Sequence, residues 1–181
     1  MKIDKKLNLV IPIEYETGTI YAHSTPLESS MFEANYLLLS KTFSAIYGEG
    51  LSVTVGPRVA MLILRDVAKR MDIAADVESG LIAEIKRMTM VAVPGEKGWE
   101  TIPYDEAVSK GRIDATDASE VENAIAFFIV ASAVHKRSEV EEVLTKAARL
   151  WGGLTTSLNS TEYAASLPSL IATVSSGEKA A

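Results

Sequence analysis

From Ala124 to Val134 the chain reads AIAFFIVASAV, in which Ser132 carries the only polar side chain. A helix that is apolar on every side has no solvent face, so other elements must surround it. The run is too short to cross a bilayer, which takes ~20 apolar residues. Just upstream, Ser119 and Glu122 have the spacing of a capping box. The pattern predicts a central helix from Ser119 to about Lys136.

Other helices are predicted around it. Thr25-Pro26-Leu27-Glu28 reads as a helix start, with Thr25 as cap and Pro26 at the first helical position. Phe32, Tyr36, Leu39, Phe43 and Ile46 then give one apolar stripe, running to about Tyr47, where Gly48 and Gly50 end the helix. Gly56–Pro57 reads as the start of the next helix, whose buried face is Ala60, Ile63, Leu64, Val67, Ala68 and Met71. Asp76 caps a third, with Leu81, Ile82, Ile85 and Met88 at helical spacing, and Val91-Ala92-Val93-Pro94-Gly95 breaks the pattern. Glu96 to Thr116 reads as a polar connecting excursion with a short helix over Pro103 to Lys110. Beyond the central helix, Ser138 and Glu141 open a helix with Val140, Val143, Leu144, Ala147 and Trp151 on its stripe, stopped by Gly152–Gly153. Ser160 or Thr161 caps a last short helix, which Pro168 ends.

The N-terminus has a different period. Leu7 to Tyr15 and Thr19 to His23 are rich in β-branched and aromatic residues, and Gly18 between them supplies the positive φ of a tight turn. Pro12 lacks an N–H and favours an edge position for the first strand. The expected fold is therefore mainly α, a compact bundle of five to seven helices with a short N-terminal β-hairpin. The expected divisions are a hairpin packed on the body (residues 1–25), a helical domain (26–170) and a flexible tail (171–181).

Composition narrows the chemistry. With 48% hydrophobic and 23% charged residues among 181, the chain can bury a core without staples. It has no cysteine, which removes disulfides, thiol catalysis and thiolate metal sites. A net charge of −6 argues against non-specific nucleic-acid binding. The opening MKIDKKLNLVIPIEYE is broken by Pro12 and Glu14 and does not fit a signal peptide, so a soluble intracellular protein is expected.

The two histidines, His23 and His135, lie apart, His23 at a strand end and His135 at a helix end, where a positive charge suits the dipole. Asp114, Asp117, Glu120 and Glu122 miss the calcium-loop spacing and suit a helix N-terminus instead. Gly48, Gly50 and Gly56 match no phosphate loop, and no G-x-S-x-G elbow occurs. No catalytic, cofactor or metal site is expected. The residues left for function are aromatics in or beside loops: Trp99, Tyr104 and Tyr163 as partner-binding candidates, with Trp151 more simply a core residue on its stripe.

Four stretches also carry a family resemblance. They are Ile11-Pro12-Ile13 with the hairpin to His23-Ser24-Thr25-Pro26; the helix ending Thr42-Phe43-Ser44-Ala45-Ile46-Tyr47; the central SEVENAIAFFIVASAVHKR; and LWGGLTTSLNSTEYAASLP from Leu150 to Pro168. Together they resemble the tail assembly chaperones of long-tailed bacteriophages, the class that includes the G-type protein of lambda-like tails. The resemblance implies a non-enzymatic protein of the host cytoplasm that coats the helical tape-measure protein and helps recruit tail-tube subunits. It also implies absence from the finished particle and, in many such phages, a frameshifted longer form, of which a chain ending in a flexible Ser-Gly-Glu-Lys tail would be the short version. Self-association is compatible with this role, and no nucleic acid or membrane partner is implied. Two alternatives stand beside it: a structural phage protein retained in the virion as a connector or tail component, and a small enzyme using carboxylates between Asp114 and Glu122.

Overall fold

A computed structural model describes residues 7–15, 18–134, 137–150 and 152–168. The expectations for His135, Trp151 and the 171–181 tail fall outside the described residues, as do the side chains of Ser138, Val140, Glu141 and Leu144.

The first correction concerns fold class. The protein is α+β, with 62% of the described residues in helix and 20% in strand, and not a mainly-α bundle. Five antiparallel strands form one sheet in the order β4-β3-β2-β1-β5. These are β1 Asn8–Tyr15, β2 Gly18–Ser24, β3 Thr89–Gly95, β4 Gly98–Pro103 and β5 Leu154–Thr156. The β1–β2 hairpin closes through the pair Tyr15–Gly18, with Gly18 at φ 144°. Around Glu96-Lys97 the pair Gly95–Gly98 closes a second hairpin, with Gly98 at φ 128°. This replaces the connecting excursion expected from Glu96 onward. Val91, Val93, Thr101 and Ile102 have the β-branched character of strands, but two prolines and two glycines mask it.

Pro12 acts locally rather than on the whole strand. β5 pairs only with Asn8, Leu9 and Val10 of β1, through Thr156, Thr155 and Leu154. The next outward rung falls on Pro12, which has no N–H to offer. Gly152 stands opposite, and a Cβ on it would sit 3.6 Å from the Pro12 ring. So β1 is interior at one end and an open edge at the other.

The helices α1 Ser29–Gly48, α2 Ser52–Arg70, α3 Ala74–Val77, α4 Ala83–Arg87, α5 Tyr104–Ser109, α6 Ala115–Val134 and α7 Arg137–Leu150 pack on one side of the sheet, and α8 Ser160–Ser166 lies on the other. A π-helical turn, Glu78–Ile82, joins α3 to α4, so the two form one rod. Asp76 lies inside that rod rather than capping it.

The central helix is α6, and it starts earlier than the sequence pattern implies. Asp114 caps it: its Oδ1 accepts from the backbone N–H of Thr116 at 2.7 Å and of Asp117 at 2.8 Å. Ser119 sits one turn inside, where its carbonyl accepts from Asn123 Nδ2. Val121 and every residue from Asn123 to Ala131 are buried, against α1, α2, α7 and β1. The one polar side chain in that set is satisfied: Asn123 Oδ1 accepts from the Met61 backbone N–H at 3.0 Å.

Two other helix starts also move. α1 begins at Ser29, after Thr25 to Glu28 has passed outside any helix or strand, with Glu28 extended and Leu27 buried. α2 begins at Ser52 and contains Gly56 and Pro57 in its second turn. Gly56 is required there for space. A Cβ would come within 2.8 Å of both the Ile46 side chain and the Phe127 ring, so α2 lies with its backbone directly on the central helix.

Candidate functional site: a strap across the aromatic face of the sheet

Side chains alternate across a strand, so the sheet has a second face. Leu9, Ile11, Ile13, Ile20, Ala22, Val91 and Val93 point into the helical core. Their neighbours Asn8, Val10, Tyr21, His23, Ala92 and, on β4, Trp99 point the other way. The chain after α7 covers that face. It turns at Gly152 (φ 71°), adds β5 to one edge, crosses the sheet and sets α8 against β3 and β4 near the opposite edge. Residues 152–168 thus form a strap.

Local chemistry shapes the strap. Thr156 Oγ1 accepts from the Leu158 N–H at 3.1 Å and turns the chain. Asn159 then caps α8 in place of Ser160 or Thr161. Its Oδ1 accepts from the Glu162 N–H, and Glu162 Oε2 accepts from the Asn159 N–H, both at 2.9 Å.

Three bonds tie the strap down, each to a backbone carbonyl. Asn8 Nδ2 donates to Leu158 O at 2.8 Å, His23 Nε2 meets the same oxygen at 2.9 Å, and Trp99 Nε1 donates to Pro168 O at 2.9 Å. Between them runs a line of rings. Trp99 lies 5.7 Å from Tyr21, Tyr21 lies 5.8 Å edge-on from Tyr163 of α8, and Tyr163 lies 6.0 Å from His23. Tyr163 and Ala164 are the buried face of α8.

The tautomer of His23 follows from its partner. A carbonyl oxygen only accepts, so Nε2 carries the proton and Nδ1 is bare. Nδ1 and the Asn8 Oδ1 are both buried and have no hydrogen-bond partner among the described residues. Burial pulls the His23 pKa below its ordinary 6.5, and the bond to Leu158 only partly opposes this. A depressed value means that the unfolded chain binds the proton more readily than the folded one. Stability contributed by neutral His23 is therefore full above about pH 7 and lost as pH falls through 6.5 toward the folded value. One such group gives a slope of at most about 1.4 kcal/mol per pH unit. Chemical denaturation between pH 5 and 7.5 should show stability falling on the acid side, and His23→Gln should flatten it. An unchanged slope in the variant would assign the effect elsewhere.

Of the residues predicted from sequence, Trp99 and Tyr163 belong to this one surface and Tyr104 does not. Tyr104 opens α5, is 2% exposed, and donates to Ala118 O at 3.2 Å, with Glu122 Oε1 at 3.5 Å. Its phenol is pushed up by burial and by the Glu122 carboxylate. Glu122 also pairs with Lys86 Nζ at 2.8 Å and lies 3.7 Å from Arg65, which forks onto Glu78. That cluster ties α2, the π turn, α4, α5 and α6 together and buries Tyr104 beneath them.

The carboxylates between Asp114 and Glu122 do not converge. Asp114 caps α6, Glu122 faces Lys86, and Glu120 lines a shallow cleft with Arg58, Pro57 and Ile11. Asp117 is raised above its ordinary value by burial and then by Asp114 and Glu120. Among the described residues no three His, Asp or Glu side chains group as metal ligands, and no helix is long and apolar enough to cross a membrane.

The sequence reading missed Tyr21, Asn8 and Leu158 as site members. The available signal was period-two alternation in Ile20-Tyr21-Ala22-His23, which puts Tyr21 and His23 on the face away from Ile20 and Ala22. On the strap and at its start three large apolar side chains remain exposed: Leu154, Leu158 and, at the end of α7, Leu150. No family model, no curated protein and no solved structure matches this chain.

Proposed function

We propose that the protein is a non-enzymatic tail assembly chaperone of a long-tailed bacteriophage. In this reading it acts in the host cytoplasm, holds helical segments of the tape-measure protein in solution and helps bring tail-tube subunits to them. The observation that carries the reading is the strap. The outer face of the sheet already holds a short helix, using ring contacts to Tyr163 and hydrogen bonds to the carbonyls of Leu158 and Pro168. Bonds to carbonyls read little sequence, and rings accept varied apolar side chains. A client whose amphipathic helices differ along its length needs a surface of that kind. Leu150, Leu154 and Leu158 extend it with apolar area that the chain does not cover.

Co-expression with a fragment of the tape-measure protein from the same phage or prophage tests this. The expected result is a soluble complex in size exclusion, lost when Leu154 and Leu158 are both changed to Asp while the thermal melt is kept. A fragment that stays insoluble, with no co-eluting complex, would sink the proposal. Mass spectrometry of purified virions separates the alternative role, since a retained connector or tail component would appear there at stoichiometric copy number.

A further inference from the structure

α1 has an outer surface that the fold leaves uncovered. Its inner side buries Leu38, Leu39, Thr42 and Ile46. Away from these, Ser30, Ala34, Leu37, Lys41, Ser44 and Gly48 are all exposed. Their spacings of four, three, four, three and four make one straight stripe. Leu37 at its middle is 59% exposed, and Tyr36 beside it is 54% exposed. A solvent-facing helix normally carries many charges, but α1 carries only Glu33 and Lys41. Neither forms an ion pair among the described residues. They are eight residues apart, about 12 Å along the axis, too far to meet each other.

Their placement identifies what fits the stripe. Glu33 and Lys41 each lie four residues from Leu37, on opposite sides. A second copy of the same helix, antiparallel and related by a two-fold axis at Leu37, sets Glu33 of each copy within reach of Lys41 of the other. The same operation sets Leu37 on Leu37, Ser30 opposite Ser44, and the Lys41 stem over Ala34. Small residues at the flanks let two helix axes approach closely. The contact is isologous, so it closes as a pair. We propose that α1 is a self-association face through which two copies of this chain form an antiparallel two-fold dimer, with reciprocal Glu33–Lys41 pairs fixing the register. The proposal is independent of any phage client, because it needs only this chain.

Sedimentation velocity of the full chain over a concentration series tests it. The wild type should shift from monomer to dimer as concentration rises toward about 0.1 mM. Glu33→Lys or Lys41→Glu alone places like charges across the seam and should weaken the dimer by about tenfold or more. The double exchange, Glu33→Lys with Lys41→Glu, restores opposite charges and should recover it, whereas Leu37→Arg should leave a monomer. All three positions are exposed, so thermal melts should stay close to wild type and report that folding is intact. A chain that is monomeric throughout, or a dimer indifferent to both the single exchanges and Leu37→Arg, would overturn the proposal. Failure here leaves the client-binding reading standing, since that is read by a different complex on a different face.

Discussion

Phe127→Ala should lower the unfolding free energy by about 3–5 kcal/mol, seen as a lower denaturant midpoint at an unchanged m-value. The ring is fully buried at the middle of α6. It touches the position where α2 has no side chain at all, Gly56, so its loss removes contact with a helix backbone as well as with side chains of the core. Backbone cannot swing in to refill the space as a Met or Leu side chain would. α2 is also held to α6 by the Met61–Asn123 bond, and the Ile46 side chain of α1 closes on the same Gly56 position. The cavity should therefore persist, which puts the cost in the upper part of the range for a buried aromatic. Leu150→Ala gives the contrast, because Leu150 is 59% exposed and should change stability by no more than about 0.5 kcal/mol. A Phe127→Ala cost near that of Leu150→Ala would mean that α6 is not the element on which the helices converge.

The centrality of α6 was readable in advance because AIAFFIVASAV has no polar side, and that argument needs no knowledge of the neighbours. The β1–β2 hairpin was readable because its pairing is local and Gly18 marks the turn. The rest of the sheet was not. β3 binds β2 across more than sixty residues of chain and β5 binds β1 across about 145, and no local pattern records either contact. Val91-Ala92-Val93-Pro94-Gly95 reads locally only as a break in the helical pattern, because it follows a helix, and Trp99 reads as a loop residue because glycines flank its strand. Helix caps failed for a related reason. Ser119 and Asp114 are both good capping residues, and tertiary packing selects the earlier one, since Ile113 just before it is buried. The same limit applies to the site. Trp99, Tyr104 and Tyr163 are chemically alike in the sequence. The fold puts the first and last on one surface and closes the middle one under Glu122, because Asn8 and His23 meet Leu158 only once the chain has folded back over the sheet.

Tyr163→Ala should release the strap while leaving the body folded. Tyr163 is 7% exposed and supplies the only ring that α8 sets against Tyr21 and His23. Truncating a buried aromatic of this size costs about 3 kcal/mol or more where the loss is fully felt. Here the loss has an upper limit, because a strap can come off before the core does. Once its docking free energy is spent, further weakening costs the rest of the protein nothing. α8 has seven residues and cannot persist as an isolated helix even with its capping box. Hydrogen exchange should therefore show residues 160–166 losing protection in the variant while α6 keeps its own, and the denaturant midpoint should fall less than for Phe127→Ala. Tyr163→Phe separates anchor from hydroxyl. It keeps the ring contacts and should stay within about 0.5 kcal/mol of wild type. Were α8 to stay protected in Tyr163→Ala, the bonds to Leu158 and Pro168 would be sufficient without the ring. The outer face would then be a set of carbonyl-binding donors rather than an aromatic anchor, and the chemistry assigned to its client would change accordingly.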